Sequence, residues 1–101
     1  MTRILAAQVG DIAEGEAKAV PHDPPIALFH ADGRYFATQE MCSHEEASII
    51  DGWVGDDCTI ECPWHNAKFC LKTGQALTPP AYEPLRVYRV VVEGTDIFIE
   101  L

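Results

Sequence analysis

Basic residues are scarce in this chain. Seven Lys and Arg face sixteen Asp and Glu, for a formal net charge of −9 and a pI near 4.6. That balance argues against nucleic acid and against an anionic membrane as partners, and fits docking on basic protein surfaces or simple solubility. Also missing is an apolar run of signal-peptide or membrane-spanning length. The N-terminus reads MTRILAAQVGDIAEGEAKAV, and acidic residues arrive by Asp11, which disfavours a transit peptide as well. No internal repeat, low-complexity tract or linker divides the sequence. Nucleophilic triads, phosphate-binding loops and carboxylate pairs placed for acid/base work are absent too. The reading is one cytoplasmic domain with no membrane attachment, and none of those enzyme classes.

What is there looks like β-structure. With 101 residues and 48% hydrophobic content, the chain can bury a core, but a small one that a bound metal would help to staple. Short β-branched or aromatic runs alternate with Gly and Asp. PIALFHADGRYFATQ predicts a hairpin turned at Asp32-Gly33, AKFCLKTGQAL a second around Thr73-Gly74, and PLRVYRVVVEGTDIFIEL a third near Gly94. In the last, Ile97, Ile99 and Leu101 share one strand face, and Arg86, Val87 and Arg89 mark a partly exposed partner. RILAAQV and EAKAV read as weaker strands, and SHEEASII as at most one helical turn. The fold class is all-β.

All four cysteines and two of the four histidines fall in EMCSHEEASIIDGWVGDDCTIECPWHNAKFC. Cys42-Ser43-His44 is followed by seventeen residues and then Cys62-Pro63-Trp64-His65. A cytoplasmic chain does not keep structural disulfides, so two Cys/His pairs point to metal. Zinc favours two to four residues between paired ligands; the second pair fits, and the first is tighter than usual. A mononuclear catalytic iron site wants two His and a carboxylate instead. A Rieske [2Fe-2S] centre takes two Cys on one iron and two His on the other, which one Cys and one His per loop supplies. Cys58 and Cys70 read as packing residues, Cys58 on a strand face with Ile60 and Cys62, and Cys70 as a buried thiol. A Cys58–Cys70 disulfide is the alternative. His22 and His30 have no cysteine nearby and read as surface or hairpin residues.

C-x-H…C-x-x-H at this separation, with MCSH, IECPWHNAKFCLKTGQAL, PPAYEPL and VEGTDIFIEL, resembles the Rieske-type ferredoxins of bacterial aromatic-ring-hydroxylating dioxygenase systems, of the biphenyl or phenylpropionate kind. The resemblance runs over nearly the whole chain. It implies a Rieske fold of three antiparallel sheets over residues 1–101, with a scaffold from 1–40 and 81–101 and an inserted cluster-binding subdomain at about 41–80. It further implies Cys42 and Cys62 on the inner iron, His44 and His65 on a solvent-facing outer iron where electrons leave, and Pro79-Pro80 in a loop near the cluster. Glu45 and Asn66 depart from the family, which often has glycine after each ligand histidine.

The same resemblance implies a low reduction potential within a Rieske range of roughly −150 to +300 mV. High-potential Rieske proteins carry an extra cysteine in each ligand loop, where this chain has Ala47 and Trp64. They also carry a Ser and a Tyr that donate to sulfur, where this chain has Ala67 and Phe69, which cannot. Glu45 and Glu46 add negative charge that opposes reduction. The implied function is a soluble, monomeric one-electron carrier between an NADH-dependent flavoprotein reductase and a terminal oxygenase, performing no bond chemistry itself. Trp64 is a candidate for the docking surface or for packing. The other readings are a zinc-stabilised binding module, and a redox subunit or sensor in a stable assembly.

Overall fold

The run Ile26–Ala31 explains the architecture. Five of its six residues are buried, on both faces of a strand. A strand with one wet face would alternate polar and apolar residues, so this one must separate two apolar compartments. Ala27, Phe29 and Ala31 point into one core and Ile26 and Leu28 into the other. Burying a side chain the size of Phe29 or Leu28 contributes roughly 1.5–3 kcal/mol.

The computed structural model describes residues 2–42, 48–55, 57–63, 67–78 and 83–101. In chain order the strands are β1 (Arg3–Gln8), β2 (Ala17–Val20), β3 (Ile26–Ala31), β4 (Arg34–Gln39), β5 (Trp53–Val54), β6 (Thr59–Glu61), β7 (Lys68–Cys70), β8 (Val87–Glu93) and β9 (Asp96–Glu100). A 3₁₀ turn, Ile49–Asp51, precedes β5. Among the described residues all strand pairing is antiparallel. Six strands join in the order β1-β9-β8-β4-β3-β2, and three in the order β5-β6-β7. The six-stranded array is two three-stranded sheets fused at one narrow place, where β4 and β8 share only Ala37↔Tyr88 and Thr38↔Val87. Three antiparallel sheets therefore make the fold, and the all-β reading holds.

The hairpins at both ends form as read. Ala31 pairs with Arg34, leaving Asp32 (φ 54°) and Gly33 (φ 69°) as a two-residue turn with both residues left-handed, the twist-compatible geometry for such a loop. The Glu14 carboxylate reaches across to accept from the Asp32 and Gly33 amides at 2.7 and 2.9 Å. Glu93 pairs with Asp96 around Gly94, and Ile97 and Ile99 are fully buried between β1 and β8. The middle hairpin closes as well, although its return limb is not a full strand. After β7 the chain turns through Leu71–Thr73, where the Gly74 amide donates to Cys70 O at 2.7 Å. It then runs back along β7 through the bridge Phe69↔Ala76, with the Cys70 amide donating to Gln75 O at 2.9 Å and the Leu77 amide to Lys68 O at 2.8 Å. The Leu85 amide donates to Gly74 O at 2.7 Å and ties this turn to the approach to β8.

Candidate metal centre

Residues on either side of two segments pair closely and form two pinched necks. At the first, Met41 bridges Ser48, and the Ile49 amide donates to Glu40 O at 2.9 Å. Ser48 then caps the 3₁₀ turn, its Oγ accepting from the Ile50 amide at 3.3 Å. At the second, Glu61 pairs with Lys68, and the Cys62 amide donates to Ala67 O at 2.7 Å. Cys42 and Cys62 each sit at the base of a neck, where backbone pairing fixes them.

Both cysteines are buried, at 5% and 0% exposure, and both belong to the core shared by Ile49, Ile60, Ala67, Phe69, Leu71 and the β3 side chains Ala27 and Phe29. The described residues include all four cysteines, and none is in a disulfide. A pair of thiols fixed in one apolar core without a disulfide suits a soft metal, because thiolates buried there need a cation to offset their charge. Ala67 and Phe69 are both 0% exposed in that core, with no side-chain donor to offer a sulfur. His44 and His65, together with Glu45, Glu46, Ala47, Trp64, Asn66 and the Pro79-Pro80 segment, lie outside the described residues.

The remaining two cysteines differ from their sequence reading. Cys58 is buried, but it precedes β6 in a left-handed conformation (φ 58°) rather than sharing a strand face with Ile60. The turn from β5 into β6 imposes this: the Gly55 amide donates to Thr59 O, and Cys58 O accepts from Leu71 N, at 2.8 and 2.9 Å. Cys70 is only half-buried. The Thr73 hydroxyl beside its thiol holds the thiol below its ordinary pKa, against the opposing effect of burial, with help from the Thr73 and Lys72 amides and the Lys72 charge. It is a polar thiol at the end of β7, not a core hydrophobe. His22 is exposed. His30 stacks on Tyr35, with Nδ1 2.9 Å from Ile12 O.

Two glycines support the necks in a way the sequence did not announce. A Cβ on Gly52 would lie 1.9 Å from Glu61 O, and one on Gly74 2.1 Å from Leu85 O. Both are close approaches of one backbone to another, and only glycine permits them. No local spacing signals either contact, because each partner lies nine or eleven residues away in sequence.

Comparison with known proteins shows the family. The Rieske [2Fe-2S] domain profile matches residues 2–89. The chain belongs to the Rieske [2Fe-2S] family. It is 52% identical over 101 residues, all of this chain and 95% of the relative, to a protein of Shigella boydii serotype 4 (strain Sb227) named 3-phenylpropionate/cinnamic acid dioxygenase ferredoxin subunit. The ferredoxin of carbazole 1,9a-dioxygenase from Nocardioides aromaticivorans IC177 superimposes with a TM-score of 0.92 at 30% identity, over 98% of this chain and 97% of that one. A chain in the complex of reduced oxygenase and oxidized ferredoxin in carbazole 1,9a-dioxygenase gives 0.91 at 27% identity, over 96% and 100%. The group that this Rieske protein's buried thiols fit is thus a [2Fe-2S] cluster, and the donor chemistry of the core agrees.

Proposed function

We propose that this Rieske protein is the ferredoxin component of an aromatic-ring dioxygenase system, taking single electrons from an NADH-dependent flavoprotein reductase and passing them to a terminal oxygenase. The observation that carries the reading is the pair of buried thiols outside any disulfide, Cys42 and Cys62, at the necks of two segments in a chain 52% identical to a dioxygenase ferredoxin subunit. Bound, the cluster supplies reversible one-electron chemistry. The chain's own residues do the rest. Cys42 and Cys62 would hold one iron of the cluster, and His44 and His65 the other. Ile49, Ile60, Phe69 and Leu71 keep water from the thiolate side.

The division of labour follows the chain. Residues 1–40 and 81–101 serve as scaffold and about 41–80 as the cluster-binding subdomain, within one domain. The potential lies at the low end of the Rieske range, because Ala67 and Phe69 give the sulfurs no side-chain hydrogen bond, Ala47 and Trp64 stand where high-potential relatives have cysteines, and Glu45 and Glu46 add negative charge. The protein works as a cytoplasmic monomer, and its charge of −9 steers it to basic faces of its partners. Among the described residues no helix is long and apolar enough to cross a membrane.

Electron paramagnetic resonance before and after dithionite, with iron and zinc assayed alongside, tests the assignment. The expected result is a rhombic signal that appears only on reduction, with the lowered average g that histidine ligation brings. A colourless, zinc-loaded protein that iron and sulfide cannot reconstitute would replace the carrier with a zinc-stabilised binding module.

A further inference from the structure

Two chain crossings connect the thiol-bearing segments to the six-stranded array. One enters through Gln39 to Cys42, and the other leaves through Leu85 to Val87. Both meet at one side chain. The Gln39 Nε2 donates to Met41 O at 2.7 Å, while Oε1 accepts from the Arg86 amide, also at 2.7 Å. The Gln39 backbone amide donates to Arg86 O at 2.8 Å, so the residue grips the exit strand twice. Met41 is the last residue before Cys42 and forms one side of the first neck, opposite Ser48. On the other crossing, the Leu85 amide is tied to Gly74 O at 2.7 Å, linking the exit strand to the turn after β7.

We infer that Gln39 is a positioning residue for the metal centre: its amide ties the Met41 carbonyl to the exit strand and so sets where the Cys42 thiol stands. The inference rests on Cys42 being a cluster ligand. A terminal amide is suited to the place, since it offers a donor and an acceptor in one plane. A glutamate of the same size would keep the bond from Arg86 but set a carboxylate oxygen against the Met41 carbonyl. A methionine would keep the volume and neither bond. The two variants thus separate the entry bond from the exit bond.

The experiment compares cluster-loaded wild type, Gln39→Glu and Gln39→Met by reduced-state electron paramagnetic resonance, rate of bleaching in excess chelator, and amide exchange in β3, β4 and β9. Both variants are expected to show displaced g values and to lose the cluster roughly tenfold faster, as loss of supporting hydrogen bonds does in metal sites. Exchange in β3 and β9 should not change. If Gln39→Met does not fold, Gln39→Glu carries the test, because it retains the Arg86 bond. A Gln39→Glu protein with wild-type g values overturns the inference, even if it bleaches faster, since faster loss alone is general loosening. A wild type without a Rieske signal would overturn the ligand assignment and this inference together; a normal wild type with unshifted variants removes only the role of Gln39.

Discussion

The six-stranded array and the three-stranded sheet beside it are built by different means. Strands of the first run four to seven residues and stack rows in register such as Ile4, Ile99 and Val90, with Ile99 fully buried and its partners half-buried. Strands of the second run two or three residues, too short to stand as a sheet on their own. Single amide bonds at the necks, two glycine contacts and the shared core hold it. The first is stabilised by area. The second is stabilised by points.

The largest test of that contrast is removal of the cluster. Stripping it with chelator under reduction, or replacing Cys62 with Ser, should open β5, β6 and β7 while β3, β8 and β9 stay protected. Amide exchange should rise at least about 100-fold in the short strands, because binding free energy of a metal is local folding free energy there. Equal loss of protection in both regions would mean that they fold as one unit through β3, whose two faces serve both cores.

Glycine substitutions sharpen the comparison without touching the metal ligands. Gly74 (φ 79°) would drive a Cβ into the Leu85 carbonyl, whereas Gly94 (φ 63°), in the β8–β9 turn, has open space around it. Gly94→Ala therefore costs only the left-handed backbone penalty, about 1 kcal/mol. Gly74→Ala adds overpacking against backbone and should cost about 3 kcal/mol in denaturant unfolding of the holoprotein. Similar losses at the two positions would show that the close approach at Leu85 relaxes freely.

A smaller effect is expected at the sulfurs. Ala67→Ser introduces a donor at a fully buried position in the core of both thiols. A hydrogen bond worth about 1 kcal/mol more to the reduced cluster raises a one-electron potential by about 40 mV. Voltammetry reads this directly. A potential that does not rise would mean that the hydroxyl finds a backbone acceptor instead, and that the low value has another origin.

The contrast also separates what could be read from the sequence. The long strands were legible because each is a β-branched or aromatic run bounded by its own turn, as at Asp32-Gly33 and Gly94. The thiol spacing was legible because it is local. Gln39, Gly52 and Gly74 were not, since their roles depend on backbone groups brought near by the fold. Gln39 lies 47 residues from the amide it binds. Cys70 was misread for a related reason: it looks apolar between Phe69 and Leu71, but its strand ends there and Thr73 turns back onto it. Short elements carry too few residues to show a period, so the sequence pattern is weakest where the structure is held by points.

The finest of those points is the turn between β5 and β6. Thr59 Oγ1 donates to Asp57 Oδ1 at 2.6 Å, and this bond is the main reason that the Asp57 carboxyl is held below its usual pKa. The Asp57 backbone and the Lys68 charge act the same way, and desolvation opposes them. A carboxylate depressed in the folded state stabilises it fully above the unfolded pKa, and that contribution disappears as pH falls through the folded value. Thr59→Val should therefore raise the Asp57 pKa toward that of a free carboxylate and move the loss of the turn to higher pH within the acid range. NMR titration of the Asp57 carboxyl carbon reads the shift, with Asp96 in the large sheet as an internal control. Because Asp57 is exposed, the effect on unfolding should be slight and further weakened by salt. An unmoved Asp57 titration would mean that the backbone and Lys68, not the threonine, hold the charge, and the turn would then depend on the chain's path rather than on a side-chain contact.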